Sequence, residues 1–390
     1  MLRSLNSGIS GLRSHQTMLD VTGNNIANVN TTGFKGQSTQ FQDTLSQITQ
    51  GAAAPGAETG GGNPAQVGLG VQVAGTSTNF TQGAAQRTDR ATDMMISGDG
   101  FFVLNKGGQQ VLTRAGSFDF DAAGRLVSPD GGIVQGRMAV NGALPAGGAL
   151  EDIVLPTGLT VPGQATGNAT VSGNLPAEAT VGETRTIDRE IFNADGTSST
   201  LTLTFTRTGD GWGVEAAAGD ATATGTLQRD AATGALTGAA VTVAGVTVDL
   251  SALTSYAELD NAAVTGQDGY AAGVLQSYTL GTDGTVTGRF SNGSTQTIAQ
   301  IVIGQVDNPA GLEKVGESGY TATANSGGVN FMAPGQAGVG SLVSGVLEMS
   351  NVDLSQEFTN LIVAQRGFQA NARIITTSDE VLQELTNLKR

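Results

Sequence analysis

The stretch VDLSQEFTNLIVAQRGFQANARIITTSDEVLQEL, residues 352–385, decides the fold at the carboxyl end of this chain. Its apolar residues recur seven apart, at Leu354, Leu361, Phe368, Ile375 and Leu382, with Phe358 four residues after the first. Such a repeat is typical of a helix that packs along one face. Asn351, Asp353 or Ser355 could cap its start, and no proline interrupts the sequence from there to Lys389. The pattern predicts a helix of about 30 residues.

A similar repeat begins the chain. Its apolar positions are Leu5, Ile9, Leu12, Leu19 and Ile26. Gly8, Gly11 and Gly23 weaken a helix here by about 1 kcal/mol each. The sequence NVNTTGFK, residues 28–35, predicts the end of this helix. Gly33 suits the left-handed backbone that follows a helix, and Asn28 and Asn30 tolerate it.

The two apolar repeats leave the partner of each helix open. The helices could pair with each other within one chain, or they could meet other copies of the protein. Polar residues interrupt both repeats, at Gln16, Gln365 and Asp379, and such interruptions specify partners more than they stabilise. We expect the eleven apolar positions of the two repeats to form a subunit interface.

Between the ends, the apolar period changes to two, which favours antiparallel strands. We expect a multidomain α+β protein with long terminal α-helices forming a coiled-coil core and nested, mainly antiparallel β domains. The predicted parts are a terminal helical core (1–33 and 345–390), a linker (34–69), an inner β domain (70–145 and 270–344) and an acidic outer β domain (146–269). Residues 146–270 contain 15 acidic and 4 basic residues, a charge that suits an outward-facing domain.

The composition excludes several function classes. The chain has 390 residues, a net charge of −15 and no cysteine, so it forms no disulfide and no thiolate metal site. Its 19 basic residues form no cluster, which argues against nucleic acid and against anionic membranes as partners. No segment approaches the ~20 apolar residues of a membrane span, and the first residues are too polar for a signal peptide.

No motif predicts a catalytic, cofactor or metal site, and we expect a protein that is not an enzyme. His15, the one histidine, has no carboxylate or serine in a recognisable motif nearby. Asp119, Asp121, Gly124 and Asp130 have part of the spacing of a calcium loop, but Ala123 stands where an oxygen ligand is required. The sequence FDFDAAGRLV, residues 118–127, is better explained as a β-hairpin.

Several stretches resemble the bacterial flagellar rod and hook family. They are NNIANVNTTGFKGQ (24–37), ISGDGFFVL (96–104), LTRAGSFDFDAAGRLVSPDGGIVQG (112–136), IAQIVIGQVDNPAGLEKVG (298–316) and the carboxyl-terminal stretch 350–388. The residues that match the family motif after the first helix are Asn24, Asn25, Asn28, Asn30, Thr32, Gly33 and Phe34. The resemblance covers most of the chain outside 146–270. The carboxyl-terminal version, the length and the extra acidic domain resemble the hook-type members.

The resemblance implies a structural subunit that polymerises with itself into the hook, a curved flexible tube that transmits torque from rod to filament as a universal joint. It implies as partners the rod, the hook cap, the hook–filament junction proteins and the type III export apparatus. It also implies an extracellular location in the flagellum, reached without a cleaved signal peptide. Two alternatives stay open, a distal rod subunit and a monomeric secreted β-rich adhesin.

Overall fold

One long helix stands at each end of the chain. The computed structural model describes residues 2–56, 60–140, 142–145, 147–155 and 158–387, so the last predicted helical residues, 388–389, lie outside the described part. Helix α1 spans Leu2–Ala27 and helix α2 spans Leu354–Asn387. Both predicted helices are confirmed. Of the three candidate caps for α2, Asp353 acts, because its Oδ1 accepts hydrogen bonds from the N–H groups of Ser355 and Gln356.

The first half of the β structure begins directly after α1. Its strands are β1 (Gln37–Asp43), β2 (Ser46–Gln50), β3 (Ala65–Gly68), β4 (Val71–Thr78), β5 (Ala85–Arg87), β6 (Met94–Ser97), β7 (Phe101–Lys106), β8 (Gln109–Thr113), β9 (Asp119–Phe120), β10 (Leu126–Val127), β11 (Ile133–Met138) and β12 (Glu151–Asp152). β1 pairs with β4, and β2 pairs with β3, both antiparallel. Strands β9 and β10 form the hairpin predicted at 118–127.

The segment 34–69 differs from the linker that its composition suggested. Three strands, β1, β2 and β3, occupy much of it, and β1 and β4 pack against α1. Pairing between the strands satisfies their backbone groups, and the glycine- and alanine-rich residues 51–64 lie between β2 and β3. Within the glycine-rich part, Ala53 and Gly62 form a β-bridge, and residues 57–59 lie outside the described part.

The acidic middle of the chain forms two sheets. Its strands are β13 (Thr160–Val161), β14 (Asn168–Asn174), β15 (Thr184–Phe192), β16 (Ser198–Arg207), β17 (Gly211–Ala218), β18 (Ala221–Arg229), β19 (Leu236–Gly238), β20 (Val241–Val243), β21 (Val246–Thr254) and β22 (Ala263–Gln267). The strand orders of the two sheets are β20-β21-β14-β22 and β15-β16-β17-β18-β19, and β13 lies in neither, because it pairs with residues 273–274. Only β14 and β21 run parallel among these described pairs. Side chains from both sheets share one core around Trp212, Leu203 and Val248.

The remaining strands lead back to the carboxyl-terminal helix. They are β23 (Gly273–Leu280), β24 (Thr285–Phe290), β25 (Thr295–Ile301), β26 (Ile303–Gln305), β27 (Glu313–Gly316), β28 (Gly319–Thr321), β29 (Asn330–Met332), β30 (Ser341–Ser344) and β31 (Val346–Glu348). β30 pairs with β6 and β31 pairs with β5, so the strands before α2 join strands that follow α1. A separate core joins Val306 and Tyr320 from this part of the chain to Phe101, Val103 and Leu112 of β7 and β8.

The chain divides into two compact units. The first comprises Met1–Leu155, Thr279–Val286 and Thr297–Arg390, and the second comprises Pro156–Tyr278 and Thr287–Gln296. The two helices therefore belong to one unit, and the two acidic sheets belong to the other. The protein is mostly β, with its two long helices at the ends.

Candidate functional site

The two terminal helices pack against each other through small residues. A Cβ on Gly8 would lie 3.4 Å from Ile375, and a Cβ on Gly11 would lie 2.7 Å from the side-chain oxygen of Asn371. Further along, Gly367 of α2 lies against the imidazole of His15. The residue numbers of these contacts increase along α1 while they decrease along α2, so the helices are antiparallel. Gly8 and Gly11, which weaken α1 as a helix, let it approach α2 closely.

The buried face of α1 is not its leucine repeat. Its buried residues are Gly8, Gly11, Ser14, Thr22 and Asn25. Of the predicted interface residues, three are exposed: Ile9, Leu354 and Phe358. The other eight are half-buried: Leu5, Leu12, Leu19, Ile26, Leu361, Phe368, Ile375 and Leu382. Most residues of the seven-residue repeat are therefore half-buried within the single chain, and three are exposed.

Helix α2 exposes apolar residues that the repeat did not predict. Ala364 is its one buried residue within the described part. At roughly 100° per residue, the exposed apolar side chains form two stripes, one on each flank of the side that faces α1. The first stripe is Leu354, Phe358 and Ile362, and the second is Val363, Ile374, Val381 and Leu385, each with 39–54% of its surface exposed. The spacing of the second stripe, eleven, seven and four residues, was the signal available in the sequence.

Between the two stripes, α2 presents a polar face. This face carries Ser355, Thr359, Arg366, Arg373, Thr377 and Glu384, all exposed. A helix with one face on α1, two apolar flanks and one polar face has more apolar surface than a single antiparallel partner covers. We define the two apolar flanks as the α2 stripes.

The family-motif residues form the last turn of α1 and the loop that follows it. The Asn25 side chain lies against the backbone of Gln37, donating to its carbonyl oxygen at 2.7 Å and accepting from its N–H at 3.0 Å. Asn28 Nδ2 donates to the carbonyl oxygen of Asn24. Asn28 and Asn30 do not adopt the left-handed backbone, whereas Gly33 does, with φ of +67°. A Cβ on Gly33 would overlap the backbone of Ala115, so only glycine fits there. Phe34 is buried, whereas Thr32 is half-buried.

Directly after the motif, a buried ion pair joins the two ends of the chain. Lys35 Nζ donates to Glu348 Oε1 at 2.6 Å and to the carbonyl oxygen of Thr81 at 2.8 Å, and both charged side chains are fully buried. The same carboxylate oxygen accepts from the N–H of Gly83. Burial lowers the pKa of Lys35, against the opposing effect of its hydrogen bond to Glu348.

A second cation and an amide complete this junction. Arg114 Nη1 lies 3.5 Å from Glu348 Oε2, and its side chain is 3% exposed. Burial lowers the pKa of Arg114, but an arginine guanidinium stays protonated in folded proteins. Asn351 accepts from the N–H of Gly36 and donates to the carbonyl oxygens of Asn79 and Thr81. The junction fixes the start of α2 to the loop after α1. Sequence reasoning missed it, because an isolated lysine and a glutamate 313 residues apart give no local signal.

The other candidate chemistry has structural explanations. The Asp121 carboxylate accepts hydrogen bonds from the N–H groups of Ala123 and Arg125, which closes the hairpin turn. Within the described residues, no group of acidic or histidine side chains has the arrangement of a metal site. His15 lies between α2 and the ring of Phe41, at 5.9 Å between centroids. No helix in the described part is long and apolar enough to cross a bilayer.

Comparison with known proteins gives this arrangement a family. Three family descriptions match: "Flagella basal body rod protein" over residues 5–35, "Flagellar hook protein FlgE/F/G D1 domain" over 95–174, and "Flagellar basal body rod FlgEFG protein C-terminal" over 343–388. The flagellar hook protein FlgE of Borreliella burgdorferi is 39% identical, and that of Treponema pallidum 37% identical, each over 100% of both chains. The chain belongs to the flagellar hook protein family.

Other relatives include a rod protein and a hook protein of known structure. The flagellar basal-body rod protein FlgG of Bacillus subtilis is 35% identical over 100% of both chains. The crystal structure of the Helicobacter pylori flagellar hook protein FlgE2 matches 68% of this chain and 100% of that chain, with a TM-score of 0.51. At 15% sequence identity, this match shows a similar fold and nothing more. The resemblance inferred from the motifs is confirmed, and the chain is a structural subunit of the flagellar hook. The rod and adhesin alternatives are not favoured.

Proposed function

We propose that this chain polymerises into the hook tube through its terminal helices, with neighbouring copies packed on the α2 stripes. The observation that carries the proposal is the burial of α2, a helix of 34 residues with one buried side chain. Seven aliphatic or aromatic side chains on its flanks face water in the single chain. Covering each half-exposed side chain stabilises an assembly by about 1 kcal/mol.

In this proposal, each part of the chain has its own layer in the tube. Residues 1–33 and 345–390 form a coiled-coil core, 34–69 connect it to the β structure, 70–145 and 270–344 form an inner layer, and 146–269 form the outer layer. The excess of acidic residues in 146–270 supports an outward position for that part, since like charges keep tubes apart. Packing on two flanks of one helix supports a closed ring of helices rather than a dimer.

The finer role follows from the family. We propose a curved, flexible tube that acts as a universal joint, binds the rod, the hook cap and the hook–filament junction proteins, and carries no catalytic activity. We propose export by the flagellar type III apparatus without a cleaved signal peptide. The resemblance of the motifs to hook-type family members supports these partners and this route.

Electron microscopy of the purified chain in concentrated kosmotropic salt tests the proposal, with Ile362→Asp as the decisive variant. Ile362 is 53% exposed on the first α2 stripe, so an aspartate there costs the single chain little but places a charge in the proposed interface. We expect curved tubes from the natural chain and no tubes from the variant. Thr377→Asp, on the polar face of α2, is the matched control and should still polymerise.

Each alternative predicts a different outcome. Straight tubes from the natural chain would favour a distal rod subunit. Normal tubes from Ile362→Asp would show that the α2 stripes are not the interface. The absence of tubes from the natural chain, together with helices that resist protease, would favour an adhesin whose helices need no other copy.

A further inference from the structure

Arg114 is a buried cation whose hydrogen-bond donors are not matched by the side chains around it. Its side chain is 3% exposed, and within the described residues neither Nε nor Nη1 has a hydrogen-bond partner. A guanidinium carries five N–H donors, and a buried donor without a partner loses the hydrogen bonds that it makes to water in the unfolded chain. Arg114 therefore requires acceptors that the described part of the chain does not supply.

The carboxylate of Glu348 is satisfied at one oxygen only. Its Oε1 accepts from Lys35 Nζ at 2.6 Å and from the N–H of Gly83 at 2.9 Å. Its Oε2 is buried, and no donor among the residues that the structure describes forms a hydrogen bond with it. Arg114 Nη1 lies 3.5 Å from Oε2, whereas a charge-assisted hydrogen bond between nitrogen and oxygen measures about 2.7–2.9 Å. The two atoms are thus close to each other, yet both lack a hydrogen bond.

A third buried group, the hydroxyl of Tyr320, borders the same place. Tyr320 of β28 pairs with Leu112 of β8, and Arg114 follows two residues after Leu112, so the side chains of Tyr320 and Arg114 are diagonal neighbours on one face. Both pack on the ring of Phe101, with 6.1 Å between the two ring centroids and 5.3 Å from Arg114 Cζ to the centroid of Phe101. The hydroxyl has no hydrogen-bond partner in the described part of the chain. The unpartnered polar atoms therefore lie in one region of the core.

The polarity of these atoms decides which small molecule fits between them. Arg114 donates and Glu348 Oε2 accepts, and a water molecule can accept from the first while it donates to the second. An anion would accept from Arg114 but would lie against the negative charge of Oε2. A metal cation would suit Oε2 but would lie against Arg114 and Lys35. Water is therefore the ligand that matches both groups, and buried water typically makes about three hydrogen bonds to such atoms.

We propose that the junction is an internal hydration site, in which a bound water molecule bridges the guanidinium of Arg114 to Glu348 Oε2 beside the hydroxyl of Tyr320. Arg114 directly follows β8 of the inner sheet, and Glu348 ends β31, the last strand before α2. The charged link between the inner sheet and the start of α2 then passes through an exchangeable molecule. The site lies within one chain, so this inference does not rest on the proposed polymerisation.

Oxygen-17 magnetic relaxation dispersion of the unpolymerised full chain tests the proposal, because it counts water molecules that stay bound far longer than surface hydration. Arg114→Met removes the donors, keeps a long unbranched side chain and leaves the pair of Lys35 with Glu348 in place. We expect the dispersion amplitude of this variant to fall by one long-lived water per chain. Arg87→Met, at a side chain that is 83% exposed, is the matched control and should keep the amplitude of the natural chain. Hydrogen exchange in β7 and β8 shows whether each variant keeps the fold of the inner sheet.

A density map of the natural chain that shows ordered water is the second measurement, and it decides the matter if Arg114→Met does not fold. We expect a density peak within hydrogen-bond distance of both Arg114 and Glu348 Oε2. Equal dispersion amplitudes in the natural chain and in folded Arg114→Met would overturn the proposal, as would a map in which Nη1 and Oε2 bond directly. A chlorine-35 relaxation enhancement that disappears in Arg114→Met would show an anion at the site and would also overturn it.

Discussion

The second unit and the helix pair solve the problem of apolar surface in opposite ways. In the second unit, two sheets cover each other, and its core contains fully buried residues such as Leu203, Phe205 and Trp212. In the helix pair, α2 buries Ala364 alone, and its flanking aliphatic residues stay at the surface. The sheets cover their apolar surface within one chain, whereas the helices leave apolar surface exposed.

This contrast indicates that folding stability and assembly depend on different parts of the chain. Burial of apolar area dominates the folding free energy, so the second unit should resist denaturation without any partner. A helix pair with small residues at its contact and exposed flanks should open at low cost in the single chain and become protected in the tube.

The largest effect that separates the two regions is expected from Leu203→Ala. Leu203 is fully buried in the second unit, and removing its side chain should lower the free energy of unfolding by about 2–5 kcal/mol. The one tryptophan, Trp212, lies in the same core, so its fluorescence in denaturant reports the unfolding of this unit. Val181→Ala, at an exposed site, should leave the midpoint unchanged. Loss of tubes with Leu203→Ala under native conditions would contradict the separation of the two roles.

A somewhat smaller effect is expected from Lys35→Met in the junction of the first unit. The substitution leaves the buried carboxylate of Glu348 with Arg114 as its one remaining cation, at 3.5 Å, and should cost about 3 kcal/mol. Hydrogen exchange should increase in β5 and β31, while the fluorescence of Trp212 keeps its denaturation midpoint. Arg87→Met is the matched control, because it removes an ion pair with Asp89 whose side chains are more than 80% exposed.

The difference between these regions also explains what the sequence could and could not predict. Helix bounds, the hairpin at 118–127 and the role of Gly33 depend on residues close in sequence, and local patterns indicate them. The junction of Lys35 with Glu348 depends on tertiary proximity, which no local pattern contains. Leu354 and Phe358 of the first α2 stripe belong to the predicted repeat, whereas Ile362 and the second stripe do not, because they fall outside its seven-residue spacing. The strands within 34–69 were not predicted, because the glycine- and alanine-rich residues 51–66 favoured a linker.

An alkaline titration tests the stability of the first unit through one buried side chain. Burial raises the pKa of Tyr320 to about 12, against an ordinary value of 10.0. The folded state therefore keeps the phenol proton more tightly than the unfolded state. The resulting stability is intact below pH 10 and falls as the pH rises from 10 to 12, by roughly 2–3 kcal/mol. Tyr320→Phe should remove this loss, measured as urea midpoints at pH 8 and pH 11.

The control for this titration is Tyr256→Phe, in the second unit. Tyr256 is 48% exposed, and its hydroxyl donates to the carbonyl oxygen of Thr233 at the surface. The alkaline loss in the first unit should persist in this variant, read by hydrogen exchange in β7 and β8. An equal alkaline loss in the natural chain and in Tyr320→Phe would show that another group controls it.

The smallest effect, and the sharpest test of the helix contact, compares one substitution at two positions of α1. In Gly11→Ala, the new Cβ would lie 2.7–2.9 Å from the side-chain amide of Asn371, which must shift and give up its hydrogen bond to the carbonyl oxygen of Gly367, whereas Gly23 has no atom within 4 Å of its Cβ position. Overpacking costs about 1–3 kcal/mol, and replacing glycine in a helix gains up to ~1 kcal/mol. We expect Gly11→Ala to raise the hydrogen exchange of α1 and α2 in the single chain, and Gly23→Ala to lower it.

Adding Asn371→Ala to Gly11→Ala should restore protection, because the atoms that overlap are then gone. If both alanine variants protect the helices equally, α1 does not approach α2 through Gly11, and the close contact that distinguishes the helix pair from the sheets is absent in solution.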